Sequence, residues 1–425
     1  MIDSRLLLEQ FEDTARELGR KGVDRASLDE VRTLLEARRR LVRDVDERRS
    51  EMNKGSQEIG RLLAQSKTEE ADDRRHRIAV LKQDIRSLES ELRYTESQLS
   101  DRLLRIPNLP AADSPEGMDE AGNVVLRVEG YDPDAFASRT FEPHWHIASR
   151  LGLWDAEAAS KLSGAMFSLL RGQGAQLLRS LVNLGLDLNR DRYEEILPPH
   201  FVRTEIMVGT GHLPKFGEEA YRLRDDDLWA IPTGEVPLMG LHRGEILSES
   251  ELPKSYMAYT VCWRREAGAA GKDTRGMQRL HEFHKVELLK LTLPEQVQEE
   301  FEAMVADAER PLKLLGLPYR VVDLCAGDLT FSSSRIFDLE VYAPGVNRWL
   351  EVSSIGIFTD FQARRGNIRF RRNDGRTLGF VHALNGSALA TPRVWAALLE
   401  HGQQPDGCVR VPDALVPYMG RDVIG

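Results

Sequence analysis

The chain has few cysteines and no long apolar run. Cys262, Cys325 and Cys408 are odd in number, far apart and without CxxC spacing, which predicts neither a disulfide framework nor a thiolate zinc site. A reducing, cytoplasmic setting is therefore expected. No window approaches about 18 consecutive apolar residues, and residues 1–24 alternate acidic and basic side chains. We expect neither a membrane-spanning helix nor a signal peptide.

Two glycine-rich signatures are missing as well. Neither GxxxxGK(S/T) nor GxGxxG occurs in the sequence, so any ATP site must follow a plan other than the P-loop or the dinucleotide-binding fold. Excess positive charge is also lacking, because the formal net charge is −10 at pH 7. A nucleic-acid partner therefore cannot be argued from the total charge.

Proline is absent from residues 27–105, where apolar residues recur at alternating steps of three and four. This spacing predicts a coiled-coil seam that is interrupted by the polar stretch QSKTEEADD. The second half of the seam comprises Ile78, Leu81, Ile85, Leu88, Leu92, Thr95, Leu99 and Leu103. The looser first half comprises Val31, Leu34 or Leu35, Val42, Val45, Met52, Ile59 and Leu63. We predict two helices of about 38 residues, each about 57 Å long, that fold back on each other as a projecting arm.

The charge of this arm is nearly balanced. Residues 27–106 contain 18 Lys and Arg against 17 Asp and Glu and so carry +1, while the rest of the chain carries −11. An arginine-rich rod of this kind could hold a polyanion at a few points. A solvated coiled-coil surface with interspersed charge explains the pattern equally well.

The rest of the chain predicts a mixed body. Its 425 residues suggest two or three domains, and the proline-rich segment RIPNLPAADSPEG ends the arm. Predicted helices at residues 144–151 and 174–188 are accompanied by strand-like runs: TFEP, YEEILPPHFV, MAYTVCWR, KVELLKLTL, YRVVDLC, IFDLEVYAP and RWLEVSSIGIF. Because turns rather than single helices separate most of these runs, we predict an α+β fold on an antiparallel sheet.

Charged side chains are concentrated in one predicted hairpin, residues 259–291. Its basic residues are Arg264, Arg265, Lys272, Arg275 and Arg279, and its acidic residues include Glu266, Glu282 and Glu287. Arginines at a sheet surface suit bidentate binding of phosphate oxygens, and a neighbouring carboxylate can accept a hydrogen bond from an exocyclic amine. A charged surface hairpin with internal ion pairs is the simpler alternative.

This hairpin also carries a specific resemblance. WRREAGAAGKDTRGMQRLHEFHKVEL resembles motif 2 of class II aminoacyl-tRNA synthetases, and its EAGxAGxDTRG core resembles the seryl-tRNA synthetase version. LPPHFVRTEIMVGTGHLPKF is similar to motif 1 and its sequel, IPTGEVPL to the serine-specific TxE loop, LEVSS with FQARR to the metal-binding strand, and LNGSALATPRVWAALLE to motif 3. With RIPNLP and VPDALVPYMG, the resemblance covers nearly the whole chain.

The resemblance implies a domain plan and an activity. Residues 1–110 are expected to form a helical arm domain that holds the variable arm of serine tRNA, residues 111–140 a junction, and residues 141–425 a class II catalytic domain. ATP-dependent conversion of L-serine to seryl-adenylate, followed by transfer to serine tRNA, is the implied reaction. A cytoplasmic homodimer is also implied, through motif 1 around residues 194–199.

The nucleotide contacts are implied residue by residue. Arg264 is expected to bridge the serine carboxylate and the α-phosphate, where a fixed cation neutralises charge that develops at phosphorus. Glu266 would accept from the adenine amino group, Phe283 would stack on adenine, Arg279 would contact the γ-phosphate, and Arg393 would lie on the other side of the base. The other implied ATP neighbours are Arg265, Leu280, Val352 and Ser353.

Glu351 and Ser354 match the pair that holds Mg²⁺, an ion that prefers hard oxygen ligands. The serine pocket, in which carboxylates hold the ammonium and the hydroxyl, is implied to comprise Thr233, Gly234, Glu235, Arg264, Glu287, Asn385 and Ser387. The residues expected to act in catalysis are Arg264, Glu351 and Arg393. Positioning and charge neutralisation should dominate both steps, and no general base is assigned.

Three tempting side chains have simpler explanations. His281 and His284 form an HxxH pair without a third ligand nearby, so a metal site is not expected there. Cys262 is expected to be packed rather than nucleophilic, because no activating base is apparent.

Two segments depart from the family pattern. Ile355-Gly356-Ile357 replaces the usual Cys-Ser-Asn, and motif 3 reads NGSALATPR instead of NGSG followed by Gly-Arg. A specialised copy that supplies seryl-tRNA or an activated seryl group to a biosynthetic pathway therefore stays open. A synthetase that loads a carrier protein would lack the arm, and a non-catalytic RNA-binding relative would not need Arg264, Glu287, Glu351 and Arg393 together.

Overall fold

The computed structural model describes residues 1–267 and 275–425. Lys272, one of the basic residues of the predicted hairpin, therefore lies outside the described residues. The chain divides into two compact units: Ile2–Ile106, and Pro107–Gly425 together with Met1. Within the described ranges, no helix is both long and apolar enough to cross a membrane.

The first unit is helical throughout. Its helices are α1 (Leu6–Glu9), α2 (Phe11–Gly19), α3 (Arg25–Ala64) and α4 (Thr68–Leu103). Helix α3 starts after Asp24, whose carboxylate accepts hydrogen bonds from the backbone N–H groups of Ala26 and Ser27 and so caps the first turn. Helices α3 and α4 contain 40 and 36 residues, or about 60 and 54 Å at ~1.5 Å per residue.

Ion pairs between α3 and α4 establish their direction. The pairs are Arg102–Glu30, Arg38–Glu96, Arg49–Glu89 and Arg74–Glu58. Because the residue number in α4 falls as that in α3 rises, the helices are antiparallel. The predicted hairpin of two long helices, called the arm below, is therefore confirmed.

The predicted seam is correct in α4 and partly wrong in α3. Ile85, Thr95, Leu99 and Leu103 are buried, and the other predicted α4 positions are half-buried. In α3, however, Leu41 rather than Val42 is buried, and Leu63 is 42% exposed. Such shifts are expected because a straight helix drifts against a seven-residue repeat over this length.

The connection between the two helices is shorter than the polar stretch suggests. Only residues 65–67 interrupt the helices, with Ser66 at φ 59°. The predicted break QSKTEEADD is thus largely wrong, since α4 begins at Thr68 and buries Ala71. Glu69 and Glu70 lie in its first turn, where negative charge stabilises a helix N-terminus.

The second unit is built on a sheet with strand order β1-β8-β9-β10-β13-β7-β6-β2. These strands are β1 (Val124–Glu129), β2 (Glu194–Glu195), β6 (Lys254–Trp263), β7 (Glu282–Thr292), β8 (Tyr319–Asp323), β9 (Arg335–Ala343), β10 (Arg348–Thr359) and β13 (His382–Ala390). Among the described strands of this sheet, β2 pairs parallel with β6 and the other pairs are antiparallel. The predicted α+β class with an antiparallel sheet is confirmed.

Smaller strands and helices complete this unit. The strands are β3 (Phe201–Val202), β4 (Trp229–Ala230), β5 (Ile246–Ser248), β11 (Arg369–Arg371), β12 (Leu378–Phe380), β14 (Val409–Arg410) and β15 (Val423–Ile424). The helices are α5 (Pro133–Ala137), α6 (His144–Arg150), α7 (Ala156–Ser163), α8 (Gly172–Asp187), α9 (Thr204–Thr210), α10 (Glu235–Gly240), α11 (Val297–Leu314), α12 (Phe361–Gly366), α13 (Thr391–Gly402) and α14 (Val416–Met419).

One face of the large sheet packs against helices α8, α11 and α13 to form the main core. Apolar residues at alternate strand positions supply the sheet side of this core, as the period of two requires. Val352, Ile355 and Ile357 come from β10, and Trp395 and Leu399 come from α13. The opposite face is left to carry the polar residues of a site.

Two sequence predictions about strands are wrong. TFEP is not a strand. Its last residue, Pro143, is instead the N-cap of α6, where the lack of a backbone N–H removes no helical hydrogen bond. YEEILPPHFV contains only the short strands β2 and β3, because its two prolines interrupt a ladder. Strands β1 and β13 were not predicted as strands.

Candidate active site

A cavity of about 730 Å³ lies on the polar face of the large sheet. Every predicted site residue contributes to its lining except Gly234 and Arg265, as far as the described part of the chain extends. Gly234 backs the cavity instead, because a Cβ there would lie 2.9 Å from the Cβ of Glu287. Arg265 is exposed and donates a hydrogen bond from Nη1 to the Glu218 carbonyl at 3.1 Å.

Strand register explains why distant residues meet. Ser387 of β13 lies opposite Glu287 of β7, and Gly356 of β10 lies opposite Asn385 of β13. Paired residues in antiparallel strands direct their side chains to the same face. Bulges at residues 351/353 and 387/389 then adjust which side chains reach the cavity.

One end of the cavity is lined by arginines. Arg264 donates from Nε to the Pro232 carbonyl at 3.3 Å, and its guanidinium carbon lies 5.0 Å from the centre of the Phe283 ring. Arg279 forms an ion pair with Glu266 at 2.7 Å. Glu266 has a φ of 51°, a left-handed conformation that costs energy in a residue other than glycine. These cations are held by the protein before any ligand binds.

Arg393 connects two walls of the same end. It donates from Nη1 to the Glu351 carbonyl at 2.6 Å and from Nε to the Gln278 carbonyl at 3.0 Å. Its Nη1 also lies 3.5 Å from the Glu351 carboxylate. Three predicted catalytic residues, Arg264, Glu351 and Arg393, therefore line one cavity.

The other end is a buried polar cluster. Glu287, 2% exposed, accepts a hydrogen bond from the Thr233 hydroxyl at 3.0 Å and pairs with the Lys285 ammonium. Lys285 donates to the same Thr233 oxygen at 2.8 Å. Glu235 accepts from the amide of Gln362. Glu287 is therefore ion-paired with Lys285, and Glu235 lies close enough for both of these charges to act on its carboxyl group.

Burial and neighbouring charges shift the pKa values of two side chains in this cavity. Burial, followed by the charge of Glu287, raises the pKa of Glu235 to about 7. His212, which also lines the cavity, has its pKa lowered to about 3 by burial and then by Arg264 and Lys285. His212 is therefore a neutral imidazole at physiological pH, with Nδ1 2.9 Å from the Thr210 hydroxyl.

Sequence reasoning missed several charged or titratable residues: His212, Glu219 and Lys285 in the cavity lining, and Asp338 beside it. Asp338 of β9 lies opposite Ser354 in the ladder, and its Oδ1 is buried without a hydrogen-bond partner among the described residues. Burial, together with the charge of Glu351, raises its pKa well above the usual range. The sequence did contain a signal for Lys285 and Asp338, because each is a charged residue within a largely apolar strand-like run.

The oxygen atoms near Ser354 suit a hard cation. Glu351, Ser354 and the unpaired Asp338 oxygen are the donor types that Mg²⁺ accepts. No cluster of three or more His, Cys, Asp and Glu forms a metal site within the described ranges. Mg²⁺ commonly uses one or two carboxylates together with substrate phosphates, so the residues fit an ion that arrives with a nucleotide.

The structure explains the unusual Ile355-Gly356-Ile357 segment. Ile355 and Ile357 belong to the main core, as does Ala388 of motif 3. Only Gly356 faces the cavity, where Phe358 occupies the adjacent space at 2.8 Å from a Cβ built on Gly356. The departures therefore change core packing more than they change the polar groups of the site.

The residues set aside earlier have local partners. His281 Nδ1 lies 3.0 Å from the Arg264 carbonyl, and His284 Nδ1 lies 2.7 Å from the Tyr259 hydroxyl. Cys262 is fully buried, and burial raises the pKa of its thiol. The prediction that Cys262 is packed is confirmed.

Comparison with known proteins covers the whole chain. Residues 1–110 match the family model for the seryl-tRNA synthetase N-terminal domain, and residues 219–402 match the tRNA synthetase class II core domain (G, H, P, S and T). The serine–tRNA ligases of Geobacillus kaustophilus and Thermodesulfovibrio yellowstonii are each 46% identical, and each alignment covers 100% of both chains.

Two solved structures are similar to this chain over its whole length. The seryl-tRNA synthetase of Pyrococcus horikoshii complexed with ATP has a TM-score of 0.93 at 33% identity, covering 100% of this chain and 99% of that one. The cytoplasmic serine–tRNA ligase of Naegleria fowleri complexed with AMP has a TM-score of 0.88 at 27% identity, covering 100% and 98%. The chain belongs to the seryl-tRNA synthetase family of class II aminoacyl-tRNA synthetases.

Proposed function

We propose that this protein uses ATP to convert L-serine to seryl-adenylate and then transfers the seryl group to serine tRNA. The observation that carries the proposal is a single cavity with two unlike ends. Fixed arginines lie at one end, and two buried carboxylates with one ammonium lie at the other. The first end suits a triphosphate, and the second suits a small amino acid.

In the first step, the serine carboxylate attacks the α-phosphorus of ATP, and pyrophosphate leaves. Arg264, which donates to the Pro232 carbonyl next to Thr233, would hold the carboxylate and the α-phosphate and offset charge in the transition state. Phe283 and the Arg393 guanidinium would sandwich adenine, and Glu266 would accept from its amino group. Arg279 would contact the γ-phosphate once a nucleotide competes for its ion pair with Glu266.

Glu235 and Glu287 would hold the serine ammonium and hydroxyl, supported by Thr233, Asn385 and Ser387 in the cavity lining. Glu351 and Ser354 would hold Mg²⁺ on ATP, and the ion would polarise phosphoryl oxygens. In the second step a terminal ribose hydroxyl of the tRNA attacks the adenylate carbonyl, and AMP leaves.

The arm would supply tRNA affinity, with residues 1–110 as its domain and residues 141–425 as the catalytic domain. A homodimer would form around residues 194–199, as the resemblance of this segment to motif 1 implies; Leu197 there is 82% exposed. Cytoplasmic localisation fits free, buried thiols at Cys262 and Cys325. Since Ile355 and Ile357 lie in the core, ordinary tRNA charging is favoured over a specialised pathway role.

Serine-dependent exchange between pyrophosphate and ATP tests the proposal directly. Serine should support exchange at least about 100-fold better than alanine, because alanine would leave buried hydroxyl partners unpaired. Threonine and cysteine complete the comparison, and Glu351→Gln is the inactive control. A folded protein that binds ATP yet shows no exchange with any of these amino acids would exclude the proposed activity.

A further inference from the structure

A buried histidine and a buried glutamate lie behind the nucleotide end of the cavity. His144 of α6 and Glu400 of α13 are both 0% exposed. The His144 Nδ1 atom lies 2.7 Å from Glu400 Oε1, which also accepts from the backbone N–H of His144 at 3.0 Å. The other oxygen, Oε2, accepts from the Gly345 N–H at 2.8 Å. The carboxylate is thus held from several directions.

The second ring nitrogen of His144 has a backbone partner. Met277 N–H donates to His144 Nε2 at 3.0 Å. Because a backbone N–H can only donate, Nε2 must be the unprotonated nitrogen. The ring proton is therefore on Nδ1 and is donated to Glu400. This assignment makes a directional chain from Glu400 through the imidazole to Met277.

Gly276 shows how closely the His144 ring packs against the backbone of residues 276–277. Gly276 has a φ of 70°, and a Cβ built on it would lie 2.1 Å from His144 Nε2 and 2.9 Å from the Trp145 ring. Any larger residue would displace the imidazole. The backbone at residues 276–277 and the ring of His144 therefore fix each other.

The same segment forms a wall of the cavity. Met277, Gln278 and Arg279 all line it. Arg393, in the first turn of α13, donates to the carbonyl of Gln278, while Glu400 lies seven residues further along the same helix. Helix α13 thus holds two consecutive residues of the wall, Gln278 directly and Met277 through His144.

We propose that His144 and Glu400 are positioning residues that hold the 276–279 wall in the geometry required for ATP. The inference rests on the proposed function of this cavity. Apart from Arg264, the proposed serine pocket lies on β7, β13 and the segment that starts α10, and not on residues 276–279. The two hydrogen bonds of the His144 ring, to Glu400 and from Met277, are called the relay below. Loss of the relay should therefore weaken ATP binding and leave serine binding nearly unchanged.

Two substitutions of His144 separate the effects of its hydrogen bonds with Glu400 and with Met277. In His144→Asn the amide reaches about the place of Nδ1, so it can still donate to Glu400 but leaves the Met277 N–H unpaired. In His144→Gln the longer side chain can place its oxygen near Nε2 and accept from Met277. We expect KM for ATP in the exchange assay to rise about tenfold in the Asn variant and to stay within about threefold in the Gln variant.

KM for serine should change by less than about twofold in both variants, and His146→Asn on the exposed side of α6 should behave as wild type. Equal effects of Asn and Gln, or parallel changes in both KM values with a lower melting temperature, would overturn the inference and assign the pair a general structural role. If His144→Asn does not fold, Gly276→Ala provides a second variant, with the same ATP-selective effect expected. Absence of exchange in wild type would instead refute the proposed function, and ATP dissociation constants of the variants would then decide the relay.

Discussion

At the scale of single residues, the serine end of the cavity depends on an imbalance of buried charge. Glu235 and Glu287 are both nearly inaccessible, and Glu287 is paired with the Lys285 ammonium. Burial, and then the charge of Glu287, raises the pKa of Glu235 to about 7. An incoming ammonium would complete the pairing. Burial of the Glu235 carboxylate therefore lowers the stability of the protein and favours binding of a cation.

Glu235→Gln should separate stability from activity. In the folded protein the pKa of Glu235 is raised from 4.5 to about 7. Between these pH values the folded state binds more protons than the unfolded state, so the free energy of unfolding falls as the pH rises. Glutamine stays neutral and can keep an oxygen for Gln362. At pH 8 the variant should be about 3 kcal/mol more stable than wild type, with little difference near pH 4.

The same variant should lose at least about 100-fold in serine-dependent exchange, because the ammonium loses a carboxylate partner. Calorimetry of the unliganded protein at the two pH values, beside the exchange assay, provides both measurements. A variant that is less stable than wild type at pH 8 would contradict the inference that the buried, ionised Glu235 carboxylate destabilises the folded protein.

Sequence reasoning identified most of the charged cavity residues by resemblance and missed some that neutralise or orient them. Arg264, Glu287 and Glu351 stand in motifs, so their positions could be predicted. Lys285 and Asp338 sit in strands among apolar neighbours, and their importance depends on which strand lies opposite, as with Asp338 and Ser354. Register is a long-range property that local spacing does not contain.

At the scale of elements, the arm is held by its apolar seam more than by its ion pairs. Ile85, 6% exposed, packs within the seam, whereas the pair Arg49–Glu89 has side chains that are 55% and 29% exposed. Solvent screens such a pair, and its net contribution is small. The seam was largely predictable because period and residue type agree, while the connecting turn includes Ser66 in a left-handed conformation (φ 59°), which the spacing of apolar residues does not indicate.

Replacing residues one turn apart on α4 measures this difference. Ile85→Ala should lower the free energy of opening the arm by about 2 kcal/mol or more through lost burial and a cavity, and amide exchange in α3 and α4 should accelerate about 30-fold. Glu89→Ala should cost less than about 1 kcal/mol. Hydrogen exchange with mass spectrometry on the full chain gives both values, and equal acceleration by the two variants would mean that ion pairs dominate.

At the scale of the whole molecule, the chain combines two compact units, each with its own buried residues. The cavity is lined by residues between 207 and 393, all in the second unit. Both proposed chemical steps therefore use side chains of one unit. The nearly neutral net charge of residues 27–106 does not favour non-specific binding of polyanions by the arm.

Removal of residues 30–103 should separate the two steps. The ends of the excised segment are close, since Arg102 and Glu30 form an ion pair at 3.3 Å, so a short glycine-serine linker can rejoin the chain. Serine-dependent exchange should remain within about twofold of wild type, because every cavity residue is retained, while charging of serine tRNA should fall at least about 100-fold. Parallel loss of exchange and charging would show that the arm is needed for folding. Unimpaired charging would show instead that tRNA is held by the second unit.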